Sequence, residues 1–440
     1  MEILQQILFL FASLISIFFF SKRIGGIRRN ILLGQPIDLT DQPAKRWKNL
    51  VLLAFGQKKM FKNPLVAVLH LFIYLGFIII NIEMIEIIVD GLLGTHRIIA
   101  PLLPSIYPIL INIFECLAFS VIVVCIVFLA RRNIVRIKRF ISNDLQGWPT
   151  QDANLILIIE IILMSLFLTM NAADSLLQLA EVGQYANHKT GAFIISSFIS
   201  PLLSSISNSN LIIIERACWW LHILGVFAFL NYLPWSKHLH ILLAFPNAFY
   251  ASLQSPGKIS NMPSVQQEVL YAFQPELAPQ QTEASAQLKF GAKDIQDLSW
   301  KNILDAYSCT ECGRCTSACP ANQTGKLLSP RKIMMDTRDR AEEIGKNIDL
   351  NGSFKDDNRS LLNDYISEEE LRACTTCNAC VEACPVSINP LDIIVQMRRY
   401  LVMEKSIAPQ EWTMMFGNVE NNFAPWKFSP DQRADWTKGM

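Results

Sequence analysis

Long apolar runs alternate with short polar breaks up to about residue 250, and then the alternation stops. Five runs stand out, at about 3–20, 64–89, 105–130, 154–178 and 211–233. Most approach the ~20 residues that a helix needs to cross a bilayer. No later run comes near that length. The pattern predicts five membrane-spanning helices. The first run lacks a positive segment before it and a small-residue cleavage site after it. Lys22, Arg23, Arg28 and Arg29 follow instead, as after an anchor.

Residues 251–290 are polar, rich in Gln, Ser and Pro, and without apolar period. They read as a linker or strap. From about Phe290 the chain reads as a soluble, cysteine-bearing unit, with helical patterning over 329–346 and 359–373. Ser367 and Glu370 have the spacing of a capping box. The predicted organisation is a membrane domain over 1–250, a linker over 251–290 and a helical domain over 291–440. The fold class is all-α, a five-span transmembrane bundle followed by a helical two-cluster ferredoxin domain.

Loop charge orients the spans. Residues 21–63 hold ten Lys/Arg and residues 131–150 hold five, whereas 90–104 hold only Arg97 and 181–210 only Lys189. By the positive-inside rule the N-terminus lies outside and everything after residue 233 lies in the cytoplasm. Composition agrees with a membrane protein: 18% of the 440 residues are charged, against about 25% in soluble chains. The 39 basic and 38 acidic residues leave a net charge of +1. That excludes a bulk-charge case for nucleic acid.

Eight of the eleven cysteines fall in two runs. One is Cys309, Cys312, Cys315, Cys319 and Pro320; the other is Cys374, Cys377, Cys380, Cys384 and Pro385. Both have the C-x₂-C-x₂-C-x₃-C-P spacing of two-cluster ferredoxins, in which the fourth cysteine serves the other cluster. The expectation is two [4Fe–4S] clusters. Cys309, Cys312, Cys315 and Cys384 hold one; Cys374, Cys377, Cys380 and Cys319 hold the other. Zinc sites pair C-x-x-C units instead, and a cytoplasmic location disfavours disulfides. Cys116, Cys125 and Cys218 lie in apolar spans and read as small core residues. No G-x-G-x-x-G pattern marks a flavin or nicotinamide site.

Two histidines fit a haem in the membrane. His222 and His240 are 18 residues apart, which on one continuous helix is five whole turns and about 27 Å. That places them on one face, one toward each surface of the bilayer. Imidazole is a common axial ligand of haem iron. His70, at the cytoplasmic end of span two, is the expected partner of His240. His96 is the candidate partner of His222. His238 is expected to point elsewhere, at the surface or behind the ligands. Glu83, Glu86, Glu160 and Asp174 read as residues near span ends, bonded to Ser, Asn or Arg. Glu115 lies nearest the middle of its span.

Span five, from Trp219-Trp220-Leu221-His222 to Pro234-Trp235-Ser236-Lys237-His238-Leu239-His240, resembles the cytochrome b that forms the gamma chain of respiratory nitrate reductase. His70 resembles that family's first histidine of span two; its second would fall at Ile80, where this chain has no ligand. Phe290–Trp436 resembles the iron–sulfur subunit of heterodisulfide reductases and of related glycolate and glycerol-3-phosphate oxidising systems. The matching pieces are Cys309–Pro320, Thr324-Gly325-Lys326, Cys374–Pro385 and Ile388-Asn389-Pro390. In fused relatives a tail like Asn422–Trp436 leads into CCG-repeat domains, which carry the catalytic cluster.

The two resemblances imply a membrane (Fe–S)-binding oxidoreductase subunit in the bacterial inner membrane, with its iron–sulfur domain in the cytoplasm. It would pass electrons between a soluble dehydrogenase or electron-transfer flavoprotein and menaquinone or another quinone, through two [4Fe–4S] clusters and one or two haems b. A separate CCG-domain subunit would be its partner, and no catalytic residue is assigned to this chain. The alternative is a haem-free membrane anchor and iron–sulfur relay.

Overall fold

Apolar residues on every side of five long segments leave no way to bury them against one partner, and each forms a single helix. In the computed structural model, which describes residues 2–187, 190–255, 257–278, 289–427 and 429–439, these are Ile3–Ile31, Pro64–Leu93, Tyr107–Asn133, Trp148–Leu179 and Asn208–Trp235. All five are long and apolar enough to cross a membrane. We call them spans one to five. Each packs against the next, and span one closes the ring against spans two and five. The helices outrun their apolar segments. Span one continues to Ile31 and carries Arg28 and Arg29 in its last turn, where cations suit the helix dipole. Asn63 caps span two by accepting from the Val66 amide. Small residues allow close approach: a Cβ on Gly76 would stand 2.7 Å from Val121 of span three, and one on Gly225 would stand 2.7 Å from Leu163 of span four.

Span five does not run straight to His240. The α-helix ends at Tyr232, a 3₁₀ turn covers Leu233–Trp235, Ser236 is extended (φ −116°, ψ 153°), and a second 3₁₀ turn covers Lys237–Leu239 before a helix at His240–Phe249. Pro234 lacks the amide that would continue the ladder. The five-turn argument linking His222 to His240 therefore does not hold.

Beyond residue 289 the described chain is helical, and no strand occurs among the described residues. The longest helix is Pro330–Asn351, capped by Ser329. The helical pattern over 359–373 resolves differently from the expected single helix: Leu362 (ψ 129°) and Asn363 (φ 77°) break it. Glu368–Ala373 then starts anew under the Ser367–Glu370 capping box. Ile303, Ile333, Ile344, Leu361, Ile393 and Met397 form the core of this half. Arg340, fully buried beside it, bonds Asp294 at 2.8 Å and Asp357 at 2.5 Å. Such pairing is what makes a buried guanidinium tolerable.

The two halves share a core. Ile27 and Ile31 of span one's polar extension belong to the iron–sulfur half's apolar cluster. Asn30 donates to Tyr307 Oη at 3.0 Å, and Arg23 pairs with Glu342 at 2.7 Å. On the other side Arg331 bonds Asp144 and the Arg139 carbonyl in the loop between spans three and four. Lys301 reaches Asn247, and Asn247 reaches the Val386 carbonyl. In the segment expected as a linker, Pro263–Phe273 is an exposed helix, Ser260 bonds Asp392, and 279–288 lies outside the described residues.

Candidate electron-transfer site

The two cysteine runs fold alike. In each, the residue before the second cysteine and the residue after it have positive φ: Glu311 and Gly313 in one, Thr376 and Asn378 in the other. A short helix follows, Arg314–Ala318 or Ala379–Ala383, and the fourth cysteine ends it in an extended conformation. The helices pack side by side, which carries each fourth cysteine toward the opposite run. Gly313 is tied to its site twice, by φ 71° and because a Cβ would meet Arg331 Nη1 at 2.5 Å.

Cys309, Cys312, Cys315 and Cys384 line one cavity, with Arg331 and Cys380 at its wall. Cys319, Cys374, Cys377 and Cys380 lie near enough for the Cys319 and Cys377 charges to act on both Cys374 and Cys380. Burial, then the neighbouring thiols, pushes Cys380 up to about 12; burial pushes Cys309 to about 12 and Cys384 to about 11. Thiols held this way become thiolates only against strong positive charge, which iron supplies. Amides of Glu311, Thr376 and Ile388 donate to the sulfurs of Cys309, Cys374 and Cys384, each at 3.4 Å. Such bonds tune cluster potential. Among the described residues no three Cys, His, Asp or Glu side chains close on a point as ligands of a single ion. Cys377 is exposed, whereas Cys309 is buried. The Cys374 run thus faces the surface and the Cys309 run faces the membrane half.

Cys312, Thr310 and Glu311 also line a second cavity, at the membrane junction, with His70, His238 and His240. Its polar wall is basic: Arg131, Arg132, Arg139, Lys237 and Arg314. Nε of Arg132 and of Arg139 are buried without a hydrogen-bond partner. The Glu311 carboxylate ties the cluster loop to the histidine-bearing turn, through Lys237 on one side and Arg338 at 2.8 Å on the other. Burial raises its pKa, but the two cations outweigh that and hold it below the usual range.

The same three histidines open a third, mostly apolar cavity within the bundle, which His222 also lines. His70 donates from Nδ1 to Gln57 Oε1 at 3.0 Å, His240 from Nδ1 to the Lys237 carbonyl at 3.1 Å, and His222 from Nδ1 to the Leu163 carbonyl at 2.9 Å. A carbonyl oxygen has no proton to give. In the neutral ring each Nδ1 therefore carries the hydrogen and each Nε2 keeps its lone pair. This is the arrangement by which ligating histidines are oriented. His238 does not point away, as a regular helix would make it: the 3₁₀ turn brings its ring 5.5 Å from that of His240, and burial pushes it down to about 3.

His96 does not join these histidines. It stands 3.4 Å from Asp174, with its ring edge against Tyr185 at 4.9 Å. It belongs to a buried polar network at the opposite end of the bundle. Arg97 there bonds Asp174 and Asn171 at 2.7 and 2.8 Å, and Asn171 bonds Glu115 at 3.1 Å. Tyr107 joins Arg97 to Glu86. His96 does not line the cavity that His222 lines, so the structure does not bring the two together there. Glu160 is the reverse case. Expected near a span end, it lies well inside span four and lines the apolar cavity with His222. His188 lies outside the described residues.

Residues 308–388 match the family model of a 4Fe-4S dicluster domain. Over 99% of its length the chain is 28% identical to a probable iron-sulfur-binding oxidoreductase, FadF, of Bacillus subtilis. Over 91% it is 27% identical to an EtfAB:quinone oxidoreductase of Syntrophomonas wolfei. It spans 61% and 55% of the length of these relatives. Over 24% it is 36% identical to one subunit of a ferredoxin/F(420)H(2)-dependent CoB-CoM heterodisulfide reductase of Methanosarcina acetivorans, of which it covers 53%. No solved structure matches. The chain thus joins five helices of membrane-spanning length to a 4Fe-4S dicluster domain, and its relatives are iron–sulfur oxidoreductases or subunits of them.

Proposed function

We propose that this chain is the membrane electron-transfer unit of a quinone-linked oxidoreductase. A soluble dehydrogenase or electron-transfer flavoprotein exchanges electrons with it at the face that exposes Cys377. Two [4Fe–4S] clusters are held by the crossed sets of four cysteines, and a haem b is held by His70 and His240. The observation that carries this reading is the shared cavity: Cys312 of one thiol set and the histidines of the bundle line the same space. The donor set suits a haem. Both rings have Nδ1 tied to an oxygen and Nε2 free, and Arg132 and Arg139, whose buried Nε atoms lack partners in the same cavity, would supply positive charge for a propionate. When bound, these groups supply one-electron relay across the junction.

The resemblance of span five to the nitrate reductase gamma cytochrome supports the haem. The relative named as an EtfAB:quinone oxidoreductase supports the flavoprotein and the quinone. The substrate-converting unit, of the CCG type, lies outside these 440 residues. The basic loops orient the iron–sulfur domain to the cytoplasm of a bacterial inner membrane.

The test is a dithionite-reduced minus oxidised spectrum of the purified chain, with haem and non-haem iron quantified. The expected result is one b-type haem and about eight non-haem irons, four to each cubane. Iron without any haem band overturns the cytochrome and leaves a haem-free anchor.

A further inference from the structure

The apolar cavity of the bundle is lined by two separate groups of polar side chains. His70, His238 and His240 occupy the end near the cysteines. Tyr74, Glu160 and His222 occupy the other. Counting from the cysteine-side end of each span, Tyr74 is ten residues into span two, Glu160 twelve into span four and His222 thirteen into span five. At 1.5 Å per residue all three lie about 15–20 Å from those ends, near the middle of a hydrocarbon layer about 30 Å thick.

This end is built for a polar ligand. The Tyr74 hydroxyl is buried without a hydrogen-bond partner. Glu160 makes no hydrogen bond or ion pair with any described residue. His222 is 2% exposed, and its Nε2 is left as an acceptor once Nδ1 is bonded to Leu163. An ionisable group left unpaired at mid-bilayer is costly and marks function. Around them the wall includes Ile80, Met84, Val121, Leu163 and Val226. The other histidines that line the cavity are His70, His238 and His240, at the end near the cysteines. The cavity also has a side opening, since Phe77, Ile78 and Asn81 line it and are exposed on the flank of span two.

We infer that this deep end receives the head ring of an isoprenoid quinone from the bilayer, with Glu160 as the group that protonates a ring oxygen. Tyr74 donates to a ring oxygen, and His222 Nε2 accepts from the hydroxyl formed there. The balance is one quinone plus two electrons plus two protons giving one quinol. The electrons come from the iron–sulfur relay. The protons come from water on the cysteine side, one at a time through the Glu160 carboxyl, which is reprotonated between them. The inference rests on the quinone-linked reading above and names the site that reading needs.

The test uses the full chain in lipid nanodiscs with a photoreactive azido-naphthoquinone, comparing wild type with Glu160→Gln and Tyr74→Phe. Haem and iron contents serve as the check on folding. Labelling is expected within Tyr74–Met84 and Ile158–Met164. Tyr74→Phe is expected to weaken quinone binding by about ten-fold, the size of one lost buried hydrogen bond, whereas Glu160→Gln, whose amide still donates but cannot give up a proton, is expected to keep quinone binding and lower quinone reduction, with haem and iron unchanged in both. Labelling elsewhere in a chain that still reduces quinone overturns the site and leaves the function standing. Absence of quinone binding and reduction overturns both. A second haem that disappears in His222→Ala shows that the deep end holds a cofactor, and also overturns the site.

Discussion

At three histidines of the bundle a carbonyl oxygen decides which ring nitrogen carries the proton, and that choice separates residues that the sequence makes look alike. His238 and His240 are two positions apart and both face the junction cavity, yet only His240 has Nδ1 fixed, by Lys237 O. His70→Ala and His240→Ala are each expected to abolish the b-type absorption band, with haem per chain falling to the background. His238→Ala is expected to keep the band and shift its midpoint potential. Pyridine haemochrome assay and redox titration decide this. Equal haem loss in all three variants would remove the special role of His240. The cysteines allow a sharper experiment, because the proposed sets cross. Cys384→Ser is expected to disturb the same reduced-cluster EPR signal as Cys309→Ser, and Cys319→Ser the same signal as Cys374→Ser. Signals that pair within each run, Cys309 with Cys319, would refute the crossing. The thiol groups are legible in the sequence because ligand spacing is a local property, set by two positive-φ residues and a one-turn helix. The histidines are less legible. Periodicity assumes a continuous helix, and the extended Ser236 after Pro234 resets the phase between His222 and His240.

Among the elements, the loop between spans three and four braces the junction with a buried ion pair. It sets Asp144 against Arg331 at 2.6 Å, and Arg331 is 1% exposed. Burial raises the Asp144 pKa, yet Arg331 and Ser142 outweigh that and hold it below the usual carboxylate range. Arg331 also walls the cavity of Cys309, Cys312, Cys315 and Cys384. Replacing it with Met strands a half-buried carboxylate, at a cost of about 3 kcal/mol. Arg331→Met is expected to lower the thermal midpoint of cluster bleaching and to move that cluster's potential downward, since a nearby positive charge favours the reduced, more negative cluster. Asp144→Asn is expected to cause most of the stability loss but only a small shift in potential, because the guanidinium remains. Differential scanning fluorimetry and EPR-monitored titration separate the two effects. The five spans themselves are legible from hydropathy alone, because lipid demands apolar side chains on every face and leaves few other solutions. Their ends are not. Span four begins at Trp148, several residues before its apolar run, which moves Glu160 from an expected end to mid-span. The network around Arg97 escapes the same method, since Arg97 pairs with Asp174 and Glu83 from a short loop after span two, and only the folded chain brings that loop onto span four.

For the whole molecule the question is direction across the membrane, and the structure aligns its features along one axis. Exposed Cys377 stands at one end, then the buried Cys309 set, the junction histidines, the Tyr74–Glu160–His222 level, and the acidic network around Arg97 at the far end. The basic residues of 21–63 and 131–150 flank the cysteine end. Span one's polar extension and the span three–four loop both pack on the iron–sulfur half, so that half cannot lie on the opposite face without unpacking its own core. The cytoplasmic placement we propose for the cysteine end then follows from the positive-inside rule. Sealed vesicles of opposite orientation offer a direct check. In inside-out vesicles a membrane-impermeant thiol or iron chelator is expected to reach the clusters and bleach them, and a soluble reduced flavoprotein is expected to reduce them. In right-side-out vesicles neither is expected until detergent is added. The reverse pattern would place the cysteine domain outside and overturn the proposed cytoplasmic donor, while leaving the cluster and histidine assignments intact. Equal access from both sides would overturn a single orientation of the chain in the membrane.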